Sequence, residues 1–180
     1  LAAFRGAITV DGTEQRVDGW IGSQNHNWGS RHTDRYAWGQ VAGFDRAPDA
    51  FLECATAQVH VGPFWTPPMT LVVLRLGDET LRLNGLARSL RARGRIAGLD
   101  WRFATATGEA AVEGRITAPA SRFVGLTYRN PPGGTKVCLN SKLAECGLTV
   151  KRPGRPPVAL HTADRAAFEI LGDATRAGIP

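Results

Sequence analysis

The sequence lacks long hydrophobic runs and is poor in lysine and cysteine. Its longest apolar runs, such as residues 71–74, are far too short to span a bilayer, which excludes a transmembrane helix. Lys136, Lys142 and Lys151 are the only lysines, so the net charge of +6 depends almost entirely on arginine. The arginines are scattered and have no interleaved aromatic platform, which favours a solvated surface over a nucleic-acid interface.

The length of 180 residues fits one domain, residues 1–180, which can bury roughly 70% of the surface that its unfolded form exposes. The sequence begins at Leu1, and residues 4–10 already have the pattern of a β-strand. The basic region, apolar region and cleavage site of a signal peptide do not occur in that order. We therefore interpret it as a fragment or processed chain whose preceding part is missing, so its targeting cannot be read.

The three cysteines, Cys54, Cys138 and Cys146, are too few and too unevenly placed for a disulfide framework. If Cys138 and Cys146 share one extended strand, they lie roughly 26 Å apart at about 3.3 Å per residue and cannot bridge. We predict that all three thiols are reduced and largely buried. Unpaired thiols favour a reducing compartment such as the cytoplasm.

Helical periodicity is nearly absent, whereas short β-rich runs bounded by Gly, Pro, Asp and Asn recur along the whole chain. This rhythm predicts an all-β fold, either an antiparallel lipocalin-like barrel or a two-sheet sandwich of about ten strands. Asp11-Gly12 predicts a tight hairpin turn, and only residues 86–93 favour helical turns. The candidate strands are residues 4–10, 14–17, 36–44, 51–60, 70–76, 80–84, 96–106, 110–117, 122–129, 136–150 and 158–171.

The densest concentration of aromatic and polar residues lies between residues 19 and 40, which hold three of the five tryptophans and two of the four histidines. Large aromatic rings bury much surface, so we expect this segment to fold inward against a core or around a cavity. The candidate ligand-binding residues are Asn27, Trp28, His32, Trp38 and Gln40, with His26 beside them. Alternatively, these polar groups only cap strand ends and satisfy loop backbone.

Residues 26–29 read His-Asn-Trp-Gly, and residues 36–40 read Tyr-Ala-Trp-Gly-Gln at the start of a strand. These two motifs, within residues 19–44, resemble the signature of the hydroxyneurosporene synthase (carotenoid 1,2-hydratase) and tocopherol cyclase-like lipocalin superfamily. The resemblance implies a pair of lipocalin-like domains, of which this chain is the second and the N-terminal one is missing. The family commonly has an aspartate just before the histidine, whereas this chain has Asn25 and lacks an acid suited to protonating an alkene there.

Two carboxylates, Glu53 and Glu169, lie inside strands of otherwise apolar or small residues. Strict alternation cannot turn every polar side chain outward, so either can line an interior. A carboxyl group placed there can act as a general acid toward an alkene or enol, with His26 or Tyr128 as its partner. The candidate catalytic residues are therefore His26, Glu53 and Tyr128. The alternative is an outward charge on an exposed sheet face.

Other site classes find no support in the sequence. The four histidines show no spacing that brings three or four ligands together, so we predict no metal and no cofactor. A Gly-x-Ser-x-Gly nucleophile elbow and a Walker loop are both missing. Cys54 and Cys138 lie in predicted strands of mostly apolar residues and have no neighbouring base, which favours unreactive thiols in the core.

The leading hypothesis is a domain that binds a lipophilic small molecule, within a protein that hydrates, cyclises or isomerises an isoprenoid or polyketide-like substrate. The alternative is a non-catalytic companion that packs against the missing domain. A cavity lined by Trp28, Trp38 and a carboxyl group favours the first, whereas a plugged barrel with an exposed apolar face favours the second.

Two local predictions test this interpretation. Tyr36, Trp38 and Gln40 should share one side of their strand, and Ala37, Gly39 and Val41 the other. The His26 ring should be mostly buried among Trp28, Trp38 and polar loop groups, with one nitrogen facing a cavity.

Overall fold

The computed structural model describes residues 1–26, 28–172 and 179. In this part of the chain nearly every run of β-branched and aromatic residues between turn signals forms a strand. The first eight strands are β1 (Ala2–Val10), β2 (Thr13–Gly22), β3 (Arg35–Phe44), β4 (Ala47–Gln58), β5 (His60–Val61), β6 (Phe64–Trp65), β7 (Met69–Leu76) and β8 (Glu79–Leu83). A short helix, α1 (Leu86–Arg91), precedes β9 (Arg93–Ala97), β10 (Asp100–Ala106), β11 (Ala111–Thr117), β12 (Val124–Arg129), β13 (Thr135–Arg152) and β14 (Arg155–Leu171).

Ten of these strands form one antiparallel sheet in the order β8-β7-β4-β3-β14-β13-β11-β10-β9, with β12 pairing on β13. The long strands β13 and β14 make the bend in this sheet. The ladder between them shifts register between Ser141 and Cys146, and β12 and β11 pair with opposite halves of β13. The sheet thus folds over itself as a sandwich and does not close into a barrel. The predicted all-β antiparallel class is confirmed.

The core fills the space between the two layers. Trp101 on β10 is fully buried and stacks on Phe168 of β14, with ring centroids 6.2 Å apart. Its indole Nε1 donates across the layers to Thr56 Oγ1 on β4 at 3.0 Å, and that hydroxyl lies 2.8 Å from the hydroxyl of Thr70. Large apolar side chains occupy the remaining interior, including Phe44, Phe103, Ile116, Phe123 and Leu139.

The β1–β2 hairpin forms a separate two-stranded sheet, turning at Asp11-Gly12 as predicted. Both turn residues have positive φ, 50° and 77°. Of the side chains on these two strands, only Val17 is buried. The hairpin therefore lies beside the sandwich and adds little to its core.

Three features of the strand prediction need correction. The predicted strand at residues 96–106 is two strands, β9 and β10, because Gly98 turns the chain with a φ of 59°. The first part of the predicted strand at residues 122–129 belongs to a 3-10 turn, Ala120–Arg122. A small hairpin of β5 and β6 around Gly62-Pro63 was not predicted.

The cysteine prediction is confirmed, because Cys54, Cys138 and Cys146 are free and buried, the last two on the single strand β13. No helix in the described ranges is long and apolar enough to cross a membrane.

Candidate functional site

The candidate site lies on the outer face of the sheet, the side of β3 that faces away from the core. Ala37, Gly39 and Val41 are buried against the core, and the ladders that β3 forms with β14 and β4 run without a bulge from residue 36 to residue 41. Tyr36, Trp38 and Gln40 therefore point together to the outer face, as predicted. Glu53 on β4 and Glu169 on β14 share this face, because Gln40 pairs with Glu53 and Trp38 with Glu169.

A cleft of about 750 Å³ opens over this face beneath the loop that joins β2 to β3. Its floor comes from strand residues, and its rim comes from the loop and from Pro131 in the β12–β13 turn. The lining side chains with charged, hydrogen-bonding or aromatic groups are Asn25, Trp28, Arg31, His32, Thr33, Tyr36, Trp38, Glu53 and Glu169. Ala55 and Ala57 widen the floor with small apolar groups. Rings, methyl groups and two carboxyl groups in one concavity are typical of a small-molecule site.

Glu169 is the centre of a hydrogen-bonded cluster at the floor of the cleft. Its Oε1 accepts from Asn140 Nδ2 at 2.7 Å and from Lys142 Nζ at 3.2 Å. Its Oε2 accepts from the Tyr36 hydroxyl at 3.4 Å and from the Cys138 thiol at 3.9 Å. The side chain is 18% exposed, so four donors from two neighbouring strands hold a largely buried carboxyl group in a fixed position.

The same cluster keeps its phenols and its thiol protonated. Burial raises the pKa of the Tyr36 hydroxyl far above its usual range, and contact with Cys138 and the charge of Glu169 raise it further. Burial likewise raises the pKa of Tyr128 and of the Cys138 thiol. Near neutral pH these groups donate hydrogen bonds and do not act as bases or nucleophiles.

Trp38 lies between the two carboxyl groups. Its indole Nε1 donates to Glu53 Oε1 at 3.3 Å, and the Lys142 ammonium lies 5.7 Å from the centroid of its ring. Within the described part of the chain, Glu53 forms no ion pair. The two carboxyl groups therefore differ in their hydrogen bonding, since four donors hold Glu169 and one holds Glu53.

The loop above the cleft is fastened to the β12–β13 hairpin. Lys136 Nζ donates to the backbone oxygens of His32 and Thr33 and to Asp34 Oδ1, at 3.3, 3.1 and 3.1 Å. Asp34 also accepts from the backbone N–H of His60 at 3.0 Å. This N–H and the Lys136 ammonium lower the pKa of Asp34, so that its charge is retained over the working pH range.

His32 rims the cleft in a fixed orientation. Its backbone N–H donates to Asn130 Oδ1 at 3.0 Å, and its ring Nε2 lies 3.0 Å from the backbone oxygen of Arg129. The ring packs beside Tyr128 with centroids 5.4 Å apart. These contacts fix one wall of the cleft.

The prediction for His26 is wrong, because its side chain is exposed and does not line the cleft. Trp28 and Trp20 are also largely exposed, 89% and 49%, so the segment is not folded inward as a whole. Residues 23–26 and 28–34 form no strand, and the alternation rule gives such residues no inner or outer face. Asn27 lies outside the described residues.

Of the other predicted residues, Trp28, His32, Trp38 and Glu53 line the cleft, whereas Gln40 and Tyr128 do not. Gln40 is 8% exposed and accepts from Ser23 Oγ at 2.5 Å, which anchors the start of the loop to the sheet. The functional residues that the sequence analysis missed are Tyr36, Asn140 and Lys142. Only the parity that Tyr36 shares with Trp38 could have indicated one of them.

Two uncharacterized proteins of Mycobacterium tuberculosis are similar to this chain, MT0513 of strain CDC 1551 / Oshkosh and Rv0493c of strain H37Rv. Each is 30% identical over 145 residues, which make up 80% of this chain and 43% of the relative. The matched segment thus covers less than half of each relative's length, and neither name states an activity or a ligand. No family model and no solved structure matches the chain.

Proposed function

We propose that this chain binds a small, largely apolar molecule in the cleft on the outer face of its sheet. The observation that carries the proposal is the lining, in which Trp28, Trp38 and Tyr36 converge with Ala55 and Ala57 around one opening. Apolar pockets with a few fixed polar groups are the common form of small-molecule sites. The carboxyl groups of Glu53 and Glu169 supply those polar groups.

In the part of the chain that the structure describes, Trp101, Phe103, Phe168 and their neighbours fill the interior of the sandwich. The proposal therefore differs from the usual lipocalin arrangement, in which the ligand lies inside the barrel. A lipocalin-like origin, inferred from residues 19–44, is compatible with either location.

The resemblance further suggests an isoprenoid or polyketide-like ligand that is hydrated, cyclised or isomerised, and each of these reactions needs a proton donor at the cleft. Of His26, Glu53 and Tyr128, only Glu53 borders it. The one hydrogen bond of Glu53 in the described residues is accepted from Trp38. We therefore propose ligand binding alone, and the hydration, cyclisation or isomerisation of the ligand stays a prediction from the resemblance.

The second candidate function is that of a companion domain for another folded unit. Its support is the filled interior together with apolar side chains that are 41–50% exposed, namely Phe4, Ile8, Trp20, Ile21, Val124 and Leu126. Phe4 and Trp20 pair directly across the β1–β2 hairpin, so part of this exposed apolar surface is contiguous.

A ligand screen with matched tryptophan variants tests the proposal. Lipophilic alcohols, isoprenoids and aromatic polyketides are titrated against the wild type, Trp38→Leu and Trp65→Leu, with intrinsic fluorescence and calorimetry as readouts. Trp65 is a partly exposed tryptophan on β6 that does not line the cleft. We expect saturable binding that Trp38→Leu weakens at least about tenfold and Trp65→Leu leaves unchanged. Equal effects of the two variants, or no saturable ligand, would instead favour the companion domain.

A further inference from the structure

We infer that the cleft recognises an organic ammonium group, held over the face of Trp38 and paired with the carboxylate of Glu53. This inference rests on the proposed ligand-binding function and specifies the polar end of its ligand. It follows from the aromatic surfaces, from the charges that line the cleft, and from a side chain of the protein that already places an ammonium group beside the same ring.

The aromatic surfaces come from two places in the fold, strand β3 and the loop above it. Trp38 on β3 forms the floor, Tyr36 lies two residues before it on the same face, and Trp28 rises from the loop above. Trp28 is 89% exposed, so its ring is accessible on the open side of the cleft. Aromatic rings that border one cleft can bind quaternary and primary ammonium groups, because the faces of the rings carry negative potential.

The carboxyl groups add a negative charge that lacks a partner. Glu169 is balanced by the Lys142 ammonium at 3.2 Å and by three neutral donors, from Asn140, Tyr36 and Cys138. Glu53 accepts only from the indole of Trp38 and has no cation beside it in the described part of the chain. A carboxylate at an aromatic floor without a counter-ion is best satisfied by a cationic ligand.

The positive groups around the cleft are already engaged. Arg31 lies 3.9 Å from Asp34 and donates to the backbone oxygen of His60 at 3.2 Å. Lys136 is held by Asp34 and two carbonyl oxygens, three strands away from Glu53 in the sheet order. Strands lie about 4.8 Å apart, so Lys136 lies roughly 14 Å from Glu53 across the sheet and does not neutralise it.

Lys142 shows how an ammonium group fits this ring. Its Nζ contacts Glu169 Oε1 at 3.2 Å while lying 5.7 Å from the centroid of Trp38. The side chain is 62% exposed, so this geometry is adopted at the open rim and is not forced by packing. A ligand ammonium on the opposite side of the indole, toward Glu53, would repeat the same pairing of carboxylate, ring and cation.

The experiment compares three probes of nearly equal shape. Choline carries the ammonium group, 3,3-dimethylbutan-1-ol replaces its nitrogen with carbon and is neutral, and 3,3-dimethylbutanoate is anionic. Each is titrated into the whole chain by calorimetry at low ionic strength. We expect choline to bind at least about tenfold more tightly than the neutral alcohol, and the anion to bind most weakly, because a desolvated cation over an indole gains a preference of that order.

Three variants assign the effect to the site. Glu53→Gln should weaken choline binding about tenfold and leave the alcohol unchanged, while Trp38→Leu should weaken both. Glu53→Asp retains the charge and should preserve the preference for choline, which separates charge pairing from a general effect on folding. Glu113→Gln is the control, since Glu113 is an exposed carboxylate on β11 that is paired with Lys151. It should leave both affinities unchanged.

The outcomes separate this inference from the proposed function. Equal affinity for choline and the alcohol, with both dependent on Trp38, would overturn the ammonium inference and leave the binding cleft standing. A preference for choline that Glu53→Gln does not reduce would overturn the inference as well. If neither these probes nor any lipophilic ligand binds, the proposed function itself fails.

Discussion

At the residue scale, the buried thiols make the free energy of unfolding depend on pH in the alkaline range. Cys54 and Cys146 are both fully buried. Burial raises the pKa of the Cys54 thiol well above its ordinary value of 9.0 and that of Cys146 to about 12. Above pH 9 the unfolded chain therefore loses these protons while the folded chain keeps them.

The free energy of unfolding should fall as the pH rises above about 9. Because the folded pKa values are raised, the stabilising contribution is fully present below about pH 9 and is lost as the pH rises toward the folded values. Each thiol should lower the free energy of unfolding by about 1.4 kcal/mol per pH unit in this window. Urea unfolding between pH 7 and pH 11 under reducing conditions measures the slope.

Cys146→Ala provides the control for this pH dependence. The variant should be less stable at pH 7 because it leaves a small cavity, yet its alkaline slope should be shallower by about 1.4 kcal/mol per pH unit. A slope identical to that of the wild type would show that Cys146 ionises in the folded chain as easily as in the unfolded one.

The residues of the site show where sequence reasoning succeeds and where it stops. Strand parity placed Trp38 and Gln40 on one face, because alternation is a property of the backbone that the sequence displays. The exposure of His26 could not be predicted in this way, because residues 23–26 form no strand. The partners of Glu169 were missed because Asn140 and Tyr36 lie 29 and 133 residues away along the chain. Only the pairing of the strands brings them together.

At the element scale, the approach of β9 to β4 and β7 depends on a glycine. A Cβ at Gly94 would meet the hydroxyl groups of Thr56 and Thr70, which contact each other and, through Thr56, hold the indole of Trp101. The two layers can therefore close only where β9 carries no side chain. Gly94→Ala should lower the free energy of unfolding by about 1–3 kcal/mol through overpacking.

Gly147 supplies the matched comparison. It is also a strand glycine, on β13, and a Cβ there would meet nothing within 4 Å. Gly147→Ala should change stability by less than about 0.5 kcal/mol or raise it slightly, because alanine restricts the unfolded chain. Urea denaturation of both variants checks the difference, and equal losses would mean that β9 does not pack on β4 and β7 as described.

The strand boundaries show what the sequence could and could not predict at this scale. Short runs between turn residues, such as residues 70–76 and 110–117, correspond closely to β7 and β11. The bend in β13 and β14 could not be predicted, because it is a shift in pairing register between distant residues and leaves no mark on local composition. For the same reason the choice between barrel and sandwich stayed open until the strands were paired.

At the scale of the whole molecule, the apolar core and the residues of the cleft lie on opposite faces of one sheet. The inner face holds the apolar core, and the outer face of the same strands holds Trp38, Glu53 and Glu169 beneath the loop. Stability and the proposed ligand binding can therefore vary independently, since neighbouring residues on β3 point to different faces. The β1–β2 hairpin contributes little to the core, because Val17 is its only buried side chain.

This division predicts an uneven protection of backbone amides. A two-stranded hairpin is marginal by itself in water, so β1 and β2 should open locally, whereas β3 and β14 open only when the sandwich unfolds. Hydrogen exchange followed by mass spectrometry or NMR should find the paired amides of β1 and β2 exchanging at least about 100-fold faster than those at the centre of β3, a difference of about 2.8 kcal/mol in opening free energy. Equal protection would mean that another surface covers the exposed side chains of Phe4 and Trp20. Repeating the measurement at a tenfold lower protein concentration would then identify that surface, because protection by a second copy of the chain declines on dilution and protection within one chain does not.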